Sequence, residues 1–228
     1  MTMASFHPLV TSRMHSLSTT APLSTDLTLD PSSVLIPIDI QRGFDYPPWG
    51  RRDNPAMDAN GQRLLQAWRA ARRPLIHVRH DSVLANSPLA PGHPGNALRA
   101  GFEPQPGEVV LSKSVNAAFI GTDLDLRLHR LGATCVVLFG ISTDMCVSTS
   151  ARVAANLGYR TLVVGDACQC FDLPDGEGGT IAAEDVARIH LATLRAEFAE
   201  VVSTNALIAT LSLQPPTSSK DPIHNAQA

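Results

Sequence analysis

Six strand-length runs, nearly all apolar from end to end, recur along this chain with helix-length amphipathic stretches between them. The runs are Ser33–Ile40, Pro74–His80, Glu108–Lys113, Thr134–Gly140, Arg160–Asp166 and Ala199–Ser203. A strand with one wet face alternates apolar and polar side chains; a strand covered on both faces has no need to. Helical patterns fill Ala56–Arg73, Asp123–Leu131, the stretch from Cys146 to Leu157, Thr180–Glu197 and Thr204–Leu211. Pro74, Gly132 and Gly158 follow three of these as stops. This order predicts an α/β fold of three layers, α/β/α, around a six-stranded and mostly parallel sheet. Pro37 is the awkward residue, since it removes one ladder donor from the first run.

A length of 228 residues suits one well-buried domain. The organisation predicted is a flexible N-terminal arm over 1–31, a domain over 32–212 and a flexible tail over 213–228. A net charge of −3 argues against nucleic acid or an anionic membrane as the main partner. No apolar run approaches the ~18–20 residues of a membrane span. Four cysteines, at 135, 146, 168 and 170, are too few for a disulfide framework, so reduced thiols in a cytoplasmic setting are expected. Cys168-Gln-Cys170 lacks the second Cys/His pair of a metal site. The first run is followed by neither a Gly-x-Gly-x-x-Gly nor a Walker-type loop, which removes the usual dinucleotide and nucleotide readings.

Chemistry enters where the fourth run meets Ile141-Ser-Thr-Asp-Met-Cys146. A strand, a tight turn and a helix beginning near the sulfur would point unpaired N–H groups and a positive dipole end at the thiol. Both push a thiol toward thiolate and suit a developing oxyanion. The competing account is that Cys146 is a small buried apolar residue. Asp39 and Lys113 shift the balance. Each closes or follows another apolar run, and open α/β sheets bind ligands at the C-terminal ends of their strands. An acid, an ammonium and a thiol can therefore share one sheet edge.

The ordered set Ile38-Asp39-Ile40-Gln41 with Phe44, Lys113-Ser-Val-Asn-Ala-Ala-Phe119, and Gly140-Ile-Ser-Thr-Asp-Met-Cys146-Val-Ser-Thr-Ser-Ala-Arg152 through Ala155-Asn-Leu-Gly158 resembles the isochorismatase-like cysteine hydrolase superfamily. Nicotinamidases and N-carbamoylsarcosine amidohydrolases belong to it, and the likeness covers roughly residues 33–205. It implies an isochorismatase-like, Rossmann-like domain with a catalytic triad of Asp39, Lys113 and Cys146. It also implies a cis Ile141–Ser142 peptide, an oxyanion hole from the Ser142 and Cys146 N–H groups, and assembly as a homo-oligomer, dimer or tetramer. The implied reaction is C–N cleavage of a small amide, carbamoyl or lactam through a thioester, with no cofactor. Nicotinamidases of the superfamily carry an Asp-x-His metal motif, but no histidine lies here between Phe44 and His77, so no catalytic metal is expected. Two other readings stay open: vinyl-ether hydrolysis of the isochorismatase type, and a non-catalytic binding or assembly protein of the same fold.

Candidate substrate contacts are Phe44, Tyr46 and Trp49 from the first loop, Asn116 and Phe119 after the lysine, and Thr143. Three of the eleven aromatic residues fall in that first loop. Arg51, Arg52 and Arg79 could hold an anionic group, against the default of solvated surface. His77 and His80 are expected to pack and hydrogen-bond behind the site, with a direct role for His80 left open as the alternative. The long Ser82–Gly107 loop, with five prolines and four glycines, would cover a site or touch a partner.

Overall fold

A computed structural model of the protein describes residues 27–214. Its strands are β1 (Val34–Ile38), β2 (Ile76–His80), β3 (Val109–Lys113), β4 (Cys135–Ile141) and β5 (Arg160–Gln169), then a short hairpin of β6 (Leu173–Pro174) and β7 (Thr180–Ile181), then β8 (Glu200–Val202). Helices are α1 (Met57–Ala70), α2 (Leu124–Arg130), α3 (Ser148–Asn156), α4 (Ala183–Glu197) and α5 (Thr204–Ser212). The six strands outside the hairpin form one sheet in the order β3-β2-β1-β4-β5-β8, and every pairing in it is parallel.

That order reverses between β1 and β4. The chain steps outward from β1 to β3, returns to the middle, and steps the other way from β4. Right-handed crossovers therefore place α1 and α3 on opposite faces. Accordingly α1 packs against α5, and α3 against α4. Every residue of β1 and β4 is buried, as central strands require. Trp68 of α1 is fully buried, and its Nε1–H donates to Pro74 O at 2.8 Å.

Pro37 is tolerated because of the side it faces. Leu35 and Asp39, two residues to either side, donate to Pro74 O and Val78 O in the direction of β2. The missing proline donor thus falls on the β1–β2 seam, and the β1–β4 seam keeps five register pairs from Val34 to Ile38. On that second seam Gly140 has φ +136, and a Cβ there would stand 2.0 Å from Ile38 O. The two central strands approach this closely only with glycine in place.

The expected six-stranded sheet is present and is parallel throughout. The structure corrects several other expectations. The fourth helix starts at Ala183 rather than Thr180, because Thr180–Ile181 pairs with Leu173–Pro174. The fifth strand runs three residues past Asp166. The expected arm over 1–31 is docked at its end: Leu29 is 2% exposed, and the Thr28 and Leu29 carbonyls accept from Arg160 and Gln214. The rest of that arm, and the tail beyond Gln214, lie outside the described residues. Ser148, Ser150, Ala151 and Ala154, the small residues of α3, are buried within the chain itself.

Candidate active site

Asp39 is the first residue after β1 and has φ 53, a left-handed conformation uncommon outside glycine. Its N–H donates to Val78 O, and its own carbonyl accepts from Gln41 N–H two residues on. This tight turn holds the carboxyl, fully buried, at the β1–β4 reversal. Lys113 ends β3 with its side chain fully buried, and its carbonyl accepts from Asp81 N–H at 2.7 Å. Lys113 Nζ lies 2.6 Å from Asp39 Oδ2 and 3.4 Å from Cys146 Sγ. The three residues of the expected triad meet.

Cys146 sits in a widened turn. Val147 N–H reaches back five residues to Ser142 O at 3.1 Å, and Met145 N–H donates to the same oxygen at 3.3 Å. A turn wider than an α-helix is a recurrent feature of functional sites. It begins just after the Ile141–Ser142 peptide, which is cis. Ser142 and Thr143 are both buried, at 5% and 1% exposure. The regular helix, α3, starts two residues past the sulfur, so Cys146 stands before its first turn.

The charge state of the site differs from the expected thiolate. Burial, reinforced by the neighbouring Asp39 carboxylate, pushes the Cys146 thiol well up, and Lys113 offsets this only in part. Burial likewise raises Asp39 to about 6 against the pull of Lys113. The resting sulfur is thus held as a thiol beside the Asp39 carboxyl. The Asp39 carboxyl also faces the Cys146 thiol, and their side-chain interaction favours the carboxylate and the protonated thiol.

His80 is the residue that sequence reasoning misplaced. It is not behind the site. His80 is the register partner of Lys113, and its Nδ1 lies 3.1 Å from Lys113 Nζ. The Asp39 carboxylate, His80 ring nitrogen and Cys146 sulfur lie within 4.8 Å of one another, a grouping able to hold a metal ion. Here an ammonium bonded to all three takes the central position. His77 does pack away from the site, its Nε2 3.0 Å from Glu108 Oε2, a carboxylate that also pairs with Arg69. The signal for His80 was its place as the last residue of an apolar run, as Lys113 is of the next.

The expected contact residues divide. Phe44 is buried, its ring tilted against Trp49 at 4.8 Å and stacked on Phe171 at 5.9 Å between centroids. Tyr46 is 42% exposed, edge-on to His93. Asn116 is exposed. Phe119 is partly buried, its ring 6.2 Å from that of Tyr159, and it packs on the core. The three arginines are paired within the protein: Arg51 with Asp172 and Glu184, Arg52 with Asp45, and Arg79 with Asp81. Arg99 was missed, because a loop residue carries no periodic signal. It is 6% exposed and donates to Asp45, Asp58 and Gln169. A cavity of about 310 Å³, lined by Arg52, Asn54, Pro55, Met57, Asp58 and Gln169, opens beside these groups. Gln169 ends β5 opposite Ile141, so the cavity lies on the sheet edge that carries the cluster, although neither Asp39, Lys113 nor Cys146 lines it.

Comparison with known proteins gives the same frame. The family profile for the isochorismatase domain matches residues 33–206. An uncharacterised isochorismatase family protein of Bacillus subtilis is 35% identical over 180 residues, covering 79% of this chain and 96% of that one. The crystal structure of an isochorismatase-family protein from Chromobacterium violaceum superposes with a TM-score of 0.80 at 39% identity, covering 86% of this chain and all of that one. The maleamate amidohydrolase of Pseudomonas putida is 37% identical over 120 residues, 48% of this chain and 55% of that protein.

Proposed function

The chain belongs to the isochorismatase family of hydrolases, and from that premise we propose that it is a metal-independent cysteine hydrolase cleaving a C–N bond of a small amide, carbamoyl or lactam compound. The observation that carries this reading is the shared ammonium. Lys113 bridges Asp39 Oδ2 and Cys146 Sγ, with the Asp39 carboxyl within 4.8 Å of the sulfur. The named amidohydrolase among the relatives supports the same bond class.

The reaction runs as acyl transfer. As Cys146 Sγ attacks the carbonyl carbon, its proton passes to Asp39, and the S–C bond forms while the carbonyl electrons move onto oxygen. The Ser142 and Cys146 N–H groups receive that oxyanion, an interaction of the kind that contributes about two to three orders of magnitude in rate. When the tetrahedral species collapses, the C–N bond breaks and Asp39 gives its proton to the departing nitrogen. Asp39 then takes a proton from the water that attacks the thioester; the thiolate that leaves is supported by Lys113 and takes that proton from Asp39, which restores the resting site.

The test is release of ammonia or amine across a panel of small amides by wild type and by Cys146→Ala. Wild-type turnover should fall by about 10³-fold or more in the variant, and mass spectrometry should find an acyl adduct on Cys146 alone. Amide turnover that survives the substitution would overturn the reading, whereas cleavage of a vinyl ether that survives it would favour acid-only ether hydrolysis.

A further inference from the structure

The Lys113 ammonium has three hydrogens, and the structure offers each an acceptor: Asp39 Oδ2 at 2.6 Å, His80 Nδ1 at 3.1 Å and Cys146 Sγ at 3.4 Å. Only two of these acceptors have a role in the reaction just described. We propose that His80 is a positioning residue for the site, its Nδ1 taking the remaining Lys113 hydrogen and so holding the ammonium where it supports the Cys146 thiolate as that forms. The inference rests on Cys146 being the nucleophile.

Both ends of the contact are held by backbone. His80 N–H donates to Gln41 Oε1 at 2.8 Å, and His80 O accepts from Gln41 Nε2 at 3.0 Å and Asn96 Nδ2 at 3.2 Å. Gln41 is fully buried and lies two residues past Asp39, so one short segment aims the catalytic acid and clamps the histidine. Lys113 is tied to the same neighbourhood through Asp81 N–H. Its side chain has no exposed surface, so no solvent stands ready to replace a lost acceptor, and a buried donor without one is costly.

The protonation state fits this role. The groups facing the pair are Asp39 from β1, Cys146 from the turn after β4, and Asp81, which is itself paired with Arg79. Burial and the charge of Lys113 hold His80 down to about 4, so the ring is neutral where the enzyme would work. A neutral imidazole accepting at Nδ1 carries its proton on Nε2. Nε2 has no hydrogen-bond partner among the described residues, so Nδ1 is the ring's one anchored contact.

The experiment reads the thiol without a substrate. Alkylation of Cys146 by iodoacetamide is followed by peptide mass spectrometry from pH 5 to 10 in wild type, His80→Leu and His80→Asn. Leucine fills the volume with no acceptor, whereas asparagine places an amide oxygen near the position of Nδ1. His80→Leu should slow alkylation at neutral pH by about tenfold and move its midpoint upward, and His80→Asn should return to within about threefold of wild type. A His80→Leu profile that overlays wild type would overturn the proposal. So would a His80→Asn profile as displaced as that of His80→Leu, since packing alone would then be the cause. Should His80→Leu fail to fold by its melting curve, His80→Ala is judged by the same criteria. Absence of amide turnover in wild type would sink the amidohydrolase reading and leave this test standing; a Cys146 inert at every pH would overturn both.

Discussion

Asp39 is under more constraint than any other side chain of the cluster. Its left-handed backbone costs about 1–3 kcal/mol, and its carboxyl is fully buried. Activity needs the carboxylate, so kcat/KM should rise about tenfold per pH unit below pH 6 and level off above it. The apparent value belongs to the Asp39–Cys146–Lys113 group as a unit. Removing the ammonium with Lys113→Met deletes the largest influence pulling Asp39 down, so what activity remains should have its acid limb moved above 6, read from a pH–rate profile. Stability has the opposite sign. With the folded value raised from 3.8 to about 6, the native state binds this proton more tightly than the unfolded chain does. The stabilisation is therefore full below about pH 4 and is lost as pH rises through 6, with an upper bound of about 3 kcal/mol. His80, held down to about 4, adds a contribution that is lost as pH falls. The measurement is thus the difference in urea midpoint between wild type and Asp39→Asn from pH 4 to 7, which should shift in favour of the variant as pH rises. A pH-independent difference would count against a raised Asp39. At this scale the sequence made the three clustered residues legible, because each interrupts an apolar run at or just beyond its end. The direction of the thiol shift was not legible, since burial depends on what the rest of the chain lays over the sulfur.

Two elements hold the reversal point together, and each carries a prediction. At the β1–β4 seam a methyl group on Gly140 would collide with Ile38 O, so Gly140→Ala should cost about 3 kcal/mol or more in urea unfolding. It should lower activity further by displacing both Asp39 and the cysteine turn. The second element is the 82–107 loop. Asn96 Nδ2, within it, lies in reach of His80 O, Asp81 Oδ1 and Leu89 O at 3.2, 2.9 and 2.8 Å. Asn96→Ala should cost about 1–3 kcal/mol and speed limited proteolysis between residues 82 and 107; an unchanged cleavage rate would mean that other contacts hold the loop. Strand and helix positions were readable from apolar runs and their stops. The loop was not, because its hold on the sheet passes through single amide side chains with no period to detect.

Over the whole molecule, the ends of the described chain join the sheet's outer layer. Leu29 is buried in the common core, and Gln214 bonds to Leu29 O and Arg73. Leu29→Ala should cost about 2–4 kcal/mol, measured by chemical denaturation, whereas a freely moving arm would show no effect. The four cysteines are all free thiols, and no helix among the described residues is long and apolar enough to cross a membrane. By itself the sequence determined the layered α/β class, the strand and helix order, and which acid, ammonium and thiol would stand at strand ends. Those follow from local patterns of burial and turn chemistry that any parallel sheet must satisfy. Only the tertiary structure decided that His80 faces the lysine, that Phe119 turns to Tyr159, and that Arg99 is buried among carboxylates. Such contacts depend on the register between strands and on how the loops close over them, and neither is written in the spacing along one strand.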